Sequence, residues 1–587
     1  MFKPIINLLK YTWRYSKGSQ RRLILIWSMS FLANILQLFE PYFVSKAFDV
    51  VQFTPNDPEI LRQVTRNLVF IVFITLSFWL LHGTSRVMEI KNGFMVRKNY
   101  RKEMFDKVLA LPTEWHKDHH SGDTIDKINK ASESIHAFSS IVFIVITNIV
   151  RLVGGVIALW FFHKEASIIA FIIAVVVFSM IVRFDRVLRT GYLKIFKAEN
   201  FLASAIHDYI SNVITIITLR LKARVSNEIE RRSMVAFPQF SWNAKIGETK
   251  WFSASLLLSI MITSVLILYA HQSYNASGII AAGTLFALFQ YLRRIGDTFF
   301  DFAMRYSDFV KYDASLQAAE VISTEYDKLV TKDSSFLPLG WREIKINNLE
   351  FSYGKEEGGR NHIEDVNLTI TRGQRIAFIG ESGSGKSTTL SLLRGLYPSN
   401  AELVVDGEIM KFGLEHLHEH ITLIPQDPEI FNSTVEDNIT METEVSEEDL
   451  KEAIALAQFE SVIERLPQGL ATNVLEKGVS LSGGEKQRLA LARGILAARD
   501  SDFLFMDEPT SSVDTTNELK IYESISNKFS DKTIISSIHR LHLLRLFDYV
   551  IYFKNGKILV EGTLEQLMKH PEFKSIWDAY SRNLNHD

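Results

Sequence analysis

The sequence predicts a multidomain membrane protein: an all-α domain of six transmembrane helices, followed by an α/β domain of the phosphate-loop class. Three observations carry this. Nearly all long apolar runs lie before about Phe302, although the overall hydrophobic fraction of 47% is ordinary. The stretch Gly380-Glu-Ser-Gly-Ser-Gly-Lys-Ser-Thr388 fits the pattern G-x-x-x-x-G-K-[ST]. From about Trp341 the composition changes to short strands, turns and polar helices.

At 587 residues the chain is too long for one soluble domain, and a net charge of -2 gives no reason to expect nucleic acid. The absence of cysteine excludes disulfides, thiolate metal sites and a cysteine nucleophile.

Six apolar runs approach the ~20 residues a membrane helix needs, near 23–48, 66–90, 137–162, 165–188, 251–272 and 279–303. Glu40-Pro41 kinks the first run or ends it early. The stretches after the second and fourth runs are rich in lysine and arginine, which places them and the N-terminus in the cytoplasm. A cleavable signal is not expected. The start of the chain is amphipathic instead, with Ile5, Leu9 and Trp13 on one face and Asn7, Lys10, Arg14 and Lys17 on another, as for a helix in the membrane interface. Both basic stretches keep helical periodicity, so membrane helices extend beyond the lipid. They turn between Leu111 and Asp123 and near His207 to Asn212. His116, His119 and His120 have metal-ligand spacing, but nothing nearby completes a site, and a solvated or domain-contacting face is favoured.

Arg151 falls near mid-bilayer, with Thr147, Asn148, Gly154 and Gly155 on its face. Gln290, Arg294, Asp297 and Asp301 form a second polar stripe, with Arg293 beside it. Two readings stand: Arg151, Arg293, Arg294 and Gln290 receive an anionic group on a cargo, or Arg294 pairs with Asp297 at i+3 and Arg151 holds helices together.

Within the loop, Gly380, Glu381, Ser382, Gly383, Ser384 and Gly385 bring backbone N–H groups around phosphate oxygens. Lys386 reaches the β- and γ-phosphates, Ser387 ligates Mg²⁺, and Thr388 opens the following helix. Arg375 to Ile379 reads as the buried strand before it.

Downstream stands Leu481-Ser-Gly-Gly-Glu-Lys-Gln-Arg488. With the phosphate loop, this signature makes the chain resemble an ABC exporter half-transporter, six membrane helices fused ahead of one P-loop ATPase domain. The resemblance implies ATP and Mg²⁺ as cofactors and assigns roles position by position. Tyr353 matches the aromatic that stacks on adenine. Gln426, in Leu423-Ile-Pro-Gln-Asp427, matches the glutamine that touches Mg²⁺. Asp507 matches the metal-shell carboxylate and Glu508 the group that handles the attacking water. Ser482, Gly483, Gly484 and Glu485 match the signature that closes over nucleotide, Asp514 the loop crossing between cassettes, and His539 the switch histidine. Two positions depart from the pattern: Pro509 stands where exporters more often have Ala, and Leu475 where many have Gly.

The domains expected are an interfacial helix at 1–20, a transmembrane domain at 21–325, a linker at 326–340 and a nucleotide-binding domain at 341–587. Because one chain's signature serves another's phosphate loop, the resemblance implies a homodimer, or a heterodimer with a related chain. The function expected is ATP-driven export or flipping of an amphipathic small molecule, lipid or peptide across a bilayer, the plasma (inner) membrane of a bacterium. The alternatives are an exporter dedicated to peptides and a non-pumping channel or regulator of the same architecture.

Overall fold

The computed structural model describes residues 3–119, 121–329, 336–353, 362–474 and 481–584. His120 and Leu475, singled out above, lie outside these ranges. The chain forms two units, Met1–Leu111 with His119–Val330, and Pro112–Asp118 with Thr331–Asp587.

The first unit is helical throughout. It begins with α1 (Lys3–Tyr15), α2 (Gln20–Gln37), α3 (Glu40–Phe53) and α4 (Ile60–Leu109), and α5 (Thr113–Asp118) is the segment that belongs with the second unit. It continues with α6 (Ser121–Ser139), α7 (Val142–Phe162), α8 (Lys164–Ser211), α9 (Val213–Thr218), α10 (Lys222–Ser233), α11 (Phe237–Ser277) and α12 (Ala282–Leu329). The 50 residues of α4 make a rod of about 75 Å, more than twice the hydrocarbon thickness, so helices do run on well past the lipid. α12 continues to Leu329, past the expected start of the linker.

Among the described residues, five stretches are long and apolar enough to cross a membrane: Gln20–Phe53, Ile60–Leu109, Val142–Phe162, Lys164–Ser211 and Lys222–Ser277. The sixth expected run lies in α12, where Arg293, Arg294, Asp297 and Asp301 dilute its apolarity. The first run breaks at Leu38–Phe39, and Pro41 sits in the first turn of α3, where its missing N–H is not needed. The second turn beyond the membrane runs falls later than expected. α8 runs through Ser211, and Arg220, with φ of 56°, reverses the chain after α9.

One break was not foreseen. The apolar run at 137–162 is interrupted at Ser140–Ile141, between α6 and α7. Two residues of α4 hold the gap. Arg86 donates to the Ser140 carbonyl at 2.6 Å, and Glu89 accepts from the Phe143 N–H at 2.9 Å. A cation therefore sits at the C-terminal end of α6 and an anion at the N-terminal end of α7, the signs that both helix dipoles favour. Arg86 and Glu89 also pair with each other, and the Arg86 guanidinium lies 4.0 Å from the Phe143 ring centroid.

Against its neighbours α1 buries Ile5, Leu8, Thr12 and Tyr15, with Leu9 half-buried and Trp13 exposed. The core of the unit is an apolar seam of Leu159, Val177, Met261, Leu288, Leu292 and their neighbours on α7, α8, α11 and α12.

The second unit contains two main sheets and a short ribbon. β1 (Glu343–Phe351), β2 (Ile363–Thr371), β4 (Glu402–Val405) and β5 (Glu408–Ile409) form an antiparallel sheet in the order β2-β1-β4-β5, and β3 (Arg375–Ile379) lies between β2 and β4 in the chain. β6 (Ile421–Ile424), β9 (Phe503–Asp507), β10 (Thr533–Ser537), β11 (Tyr549–Lys554) and β12 (Lys557–Gly562) join β3 in a six-stranded sheet ordered β12-β11-β3-β10-β9-β6. β7 (Ser433–Thr434) and β8 (Asn473–Val474) pair as the ribbon. Every neighbouring pair from β11 to β6 is parallel. Ile376, Phe378, Phe503 and Phe505 face one core, and Ala377, Ile379, Leu504 and Met506 the other, which is why these strands read as continuous apolar runs.

Glu89 is fully buried, so its removal leaves Arg86 without its counter-ion and the Phe143 N–H unbonded. Glu89→Ala is expected to destabilise the membrane unit by about 3–5 kcal/mol, read as a lowered midpoint of thermal unfolding in detergent.

Candidate functional site

The parallel strands deliver their C-terminal ends to one edge of the sheet, and the sequence motifs occupy that edge. Residues 380–385 follow β3 and lead into the helix Lys386–Leu393. Gly385 has φ of 109°, and a Cβ there would lie 2.6 Å from Ile363 Cδ1, so the turn accepts no side chain. Lys386 Nζ donates to the Gly380 and Glu381 carbonyls at 2.9 and 3.2 Å, which holds the ammonium across the mouth of the loop. Burial pushes its pKa down, and the Glu508 and Asp507 carboxylates act against that shift.

Three side chains are hydrogen-bonded in series beside it, ending on the Glu508 backbone, and two more flank the Glu508 carboxylate. The Ser387 and Ser537 hydroxyls donate to Asp507 Oδ1 at 2.9 and 2.6 Å, and Ser537 Oγ accepts the Glu508 N–H at 3.0 Å. Gln426 Nε2 donates to Glu508 Oε2 at 2.8 Å, and His539 Nε2 lies 2.6 Å from Glu508 Oε1. Glu508 has φ of 46°, a left-handed backbone that a non-glycine residue adopts at an energetic cost, and it precedes Pro509, which already narrows its choices. Ser387 and Asp507 converge two hard oxygen donors, which fits the few protein ligands Mg²⁺ takes when phosphates complete its shell. Among the described residues no group of three or more His, Asp or Glu is placed to hold a metal, including around His116 and His119.

Tyr353 is half-exposed, and its hydroxyl shares a hydrogen bond of 3.1 Å with Thr388 Oγ1. Lys117 of α5 bonds the Tyr397 hydroxyl and lies 4.7 and 5.8 Å from the Tyr397 and Tyr353 ring centroids.

The signature stands apart from this group. Ser482 caps the helix Gly483–Ala497, accepting from Glu485 N while Glu485 Oε2 accepts from Ser482 N at 2.8 Å. Glu485 also pairs with Arg465. Burial raises its pKa, but these bonds outweigh that and hold it below the usual carboxylate range. Its carboxylate thus shapes the helix start. Asp514 caps the helix Thr515–Lys528, with the Asn517 N–H at 3.0 Å. Among the described residues no hydrogen bond joins Ser482–Glu485 to the loop at 380–388.

Sequence reasoning missed three residues. Ser537 bonds the Asp507 carboxylate and the Glu508 backbone N–H. Gln487 receives the Ser512 N–H at 2.8 Å and donates to Ser511 Oγ at 2.7 Å, tying the signature helix to the segment before Asp514. Arg540 donates to Val513 O and pairs with buried Glu518. Gln487 lies inside the quoted signature and was the one to find; the others have no local signal.

Residues 363–511 match the family model described as ABC transporter, and residues 23–295 that described as ABC transporter transmembrane region. The chain belongs to the ABC transporter family. It is 26% identical to the mitochondrial iron-sulfur clusters transporter ATM1 of Candida glabrata, over 100% of this chain and 82% of that protein. It is 27% identical to the ATP-dependent lipid A-core flippase of Idiomarina loihiensis, over 81% of each. Its fold is that of a bacterial Atm1-family ABC exporter solved with ATP bound, with a TM-score of 0.82 at 20% identity, covering 96% of this chain and 99% of that one. This ABC transporter is thus an integral membrane protein that binds ATP and couples its hydrolysis to export.

In the membrane unit the arginines part company. Arg294 donates to Gln37 O at 2.8 Å and to Glu40 Oε2 at 2.6 Å, and Tyr291 donates to Leu38 O at 2.7 Å. The expected pairing with Asp297 is corrected: the break after α2 leaves carbonyls exposed, and Glu40 lies next to them. Arg151 donates to Gln37 Oε1 at 3.3 Å, with Asp297 and Asp301 near enough to act on its charge. A Cβ on Gly154 would meet Leu38 Cδ1 at 2.2 Å, so glycine lets α7 approach α2. Arg293 is exposed and has no hydrogen-bond or ion-pair partner among the described residues, and Gln290 is half-buried. A cavity of about 620 Å³ lies beside the break, lined by Phe31, Ile35, Phe39, Tyr42, Ile157 and Tyr291 among others.

Ser537→Ala removes a donor to Asp507 and orphans the Glu508 N–H. An orphaned group of this kind costs about 1–3 kcal/mol, so kcat for ATP hydrolysis is expected to fall roughly tenfold to a hundredfold with ATP affinity unchanged, measured by steady-state hydrolysis and equilibrium nucleotide binding.

Proposed function

We propose that two copies of this chain form an exporter or flippase for an amphipathic, lipid-like cargo, switched between inward- and outward-facing states by ATP. The observation that carries this reading is the Glu508 carboxylate, held between Gln426 and His539 beside the Ser387–Asp507 pair.

The loop amides and Lys386 receive the β- and γ-phosphates, and Tyr353 takes the adenine. Glu508 orients a water for attack on the γ-phosphorus and accepts its proton as the bond to the β-phosphate oxygen breaks. His539 holds the carboxylate in place and faces the γ-phosphate. Ser387, Asp507 and the Gln426 amide oxygen would hold Mg²⁺ with ATP, where it would supply positive charge to the phosphate oxygens. The Ser482–Gly484 amides serve a loop other than their own, because within one chain they bond to nothing in residues 380–388. Closure of two copies on ATP therefore completes the sites, and hydrolysis releases them. The cargo drives the switch by binding the two membrane states with different affinity.

For the cargo, the engagement of Arg294 with Glu40 and of Arg151 with Gln37 leaves Arg293, with Gln290, as the group facing an anionic headgroup. The apolar cavity suits a lipid tail. The relatedness to a lipid A-core flippase supports the same class, and the bacterial relatives support an inner-membrane location.

Reconstituted in lipid vesicles, the wild-type protein is expected to accumulate copurified cargo, identified by mass spectrometry, against its gradient and only with ATP and Mg²⁺. Dissipation of a gradient without accumulation points instead to a channel. Glu508→Gln is expected to lower ATP turnover by roughly 10²- to 10⁴-fold while nucleotide still binds. Arg293→Ala is expected to keep basal hydrolysis and lose its stimulation by cargo, and unchanged stimulation would remove Arg293 from the cargo site.

A further inference from the structure

Helix α1 meets its neighbours through two sets of contacts and leaves a third side open. Its buried side lies on α4, α6 and α12. Along the flanks, Asn7 donates to Asp313 at 3.3 Å, Tyr11 bonds to Glu320, and Arg14 and Tyr15 donate to Glu103 at 2.7 and 3.1 Å. These three carboxylates are occupied by those partners.

Four cations remain. Lys10, Lys17, Arg21 and Arg22 are exposed, and none has a hydrogen-bond or ion-pair partner among the described residues. Lys10 stands between Ile6 and Trp13, which are 49% and 39% exposed, at the spacing that puts all three on one side of the helix. Lys17 follows in the turn after α1, and Arg21 and Arg22 stand in the first turn of α2, where the membrane-crossing stretch Gln20–Phe53 begins. An apolar strip bordered by cations, at the mouth of a membrane helix, matches the boundary between acyl chains and phosphate headgroups.

We propose that α1 and the first turn of α2 form a docking surface for anionic phospholipid. The phosphodiester contacts Lys10, Lys17, Arg21 and Arg22, and the upper acyl chain contacts Ile6 and Trp13. Through Glu103, Asp313 and Glu320, a docked α1 also holds α4 and α12 at one level, so the lipid composition bears on the helices that must move during transport. The proposal is independent of the cargo and of the hydrolytic roles given above.

The test uses the full-length protein in detergent micelles, titrated with brominated phosphatidylglycerol or brominated phosphatidylcholine. Trp13 quenching is read as the difference between wild type and Trp13→Phe. Phosphatidylglycerol is expected to quench at a concentration lower by roughly fivefold or more, the preference that one basic residue near an anionic surface gives. The quadruple variant Lys10→Gln, Lys17→Gln, Arg21→Gln, Arg22→Gln is expected to treat the two lipids alike while keeping the wild-type melting temperature. Equal quenching in the wild type overturns the proposal, as does a preference that survives in the quadruple variant. A quadruple variant that falls apart into monomers by light scattering also overturns it, because the face is then a contact between copies. The wild-type comparison decides by itself if the variant does not fold.

Discussion

The shared hydrogen-bond chain from Ser387 through Asp507 and Ser537 to Glu508 is the constraint on which the nucleotide unit turns. Its members come from four segments: the helix after β3, the end of β9, the residue just past it and the end of β10. They meet only because β3, β10 and β9 are parallel neighbours in register, with Ser537 opposite Asp507. A ligand site at the carboxyl ends of parallel strands follows from that topology. The sheet is rigid because both of its faces are covered by apolar side chains, and this rigidity keeps a strained Glu508 backbone in place.

The membrane unit solves a different problem, the free polar ends of a broken helix in a solvent that offers no hydrogen bonds. Both breaks receive the same treatment. At Ser140–Ile141 an Arg–Glu pair on α4 bonds the carbonyl on one side and the amide on the other. After α2, Arg294 and Tyr291 of α12 bond the free carbonyls, with Glu40 balancing the charge. At both breaks intramembrane charge serves a helix end, whereas Arg293 has no hydrogen-bond or ion-pair partner among the described residues.

The nucleotide site was legible in the sequence because its chemistry needs contiguous residues: a loop of fixed spacing, an apolar strand ending in two acids, a histidine after a strand. The strands themselves were equally plain, being buried on both faces. What could not be read depends on partners far away in the chain. Arg294 has a carboxylate three residues on, yet Glu40, 254 residues earlier, is the one it meets. The apolar run at 137–162 gives no sign of its break, which Arg86 and Glu89 fix from another helix. Which face α1 buries was decided by α4, α6 and α12 rather than by its own periodicity.

The ion pairs of the membrane unit have a further mechanical meaning. Arg294–Glu40 fastens α12 to α3, and Lys250–Asp185, at 3.1 Å, fastens α11 to α8. Among the described residues no ion pair links α8 or α11 to the other helices, and the boundary between the two groups is the apolar seam of Leu159, Val177, Met261 and Leu292. The directional contacts across this boundary include the Ser167 hydroxyl donating to the Val156 carbonyl at 2.9 Å and the Tyr269 hydroxyl donating to the Ala281 carbonyl at 3.4 Å. The bundle is thus divided into two charge-stapled bodies that meet mainly through apolar contact, and a shear between them breaks no ion pair among the described residues.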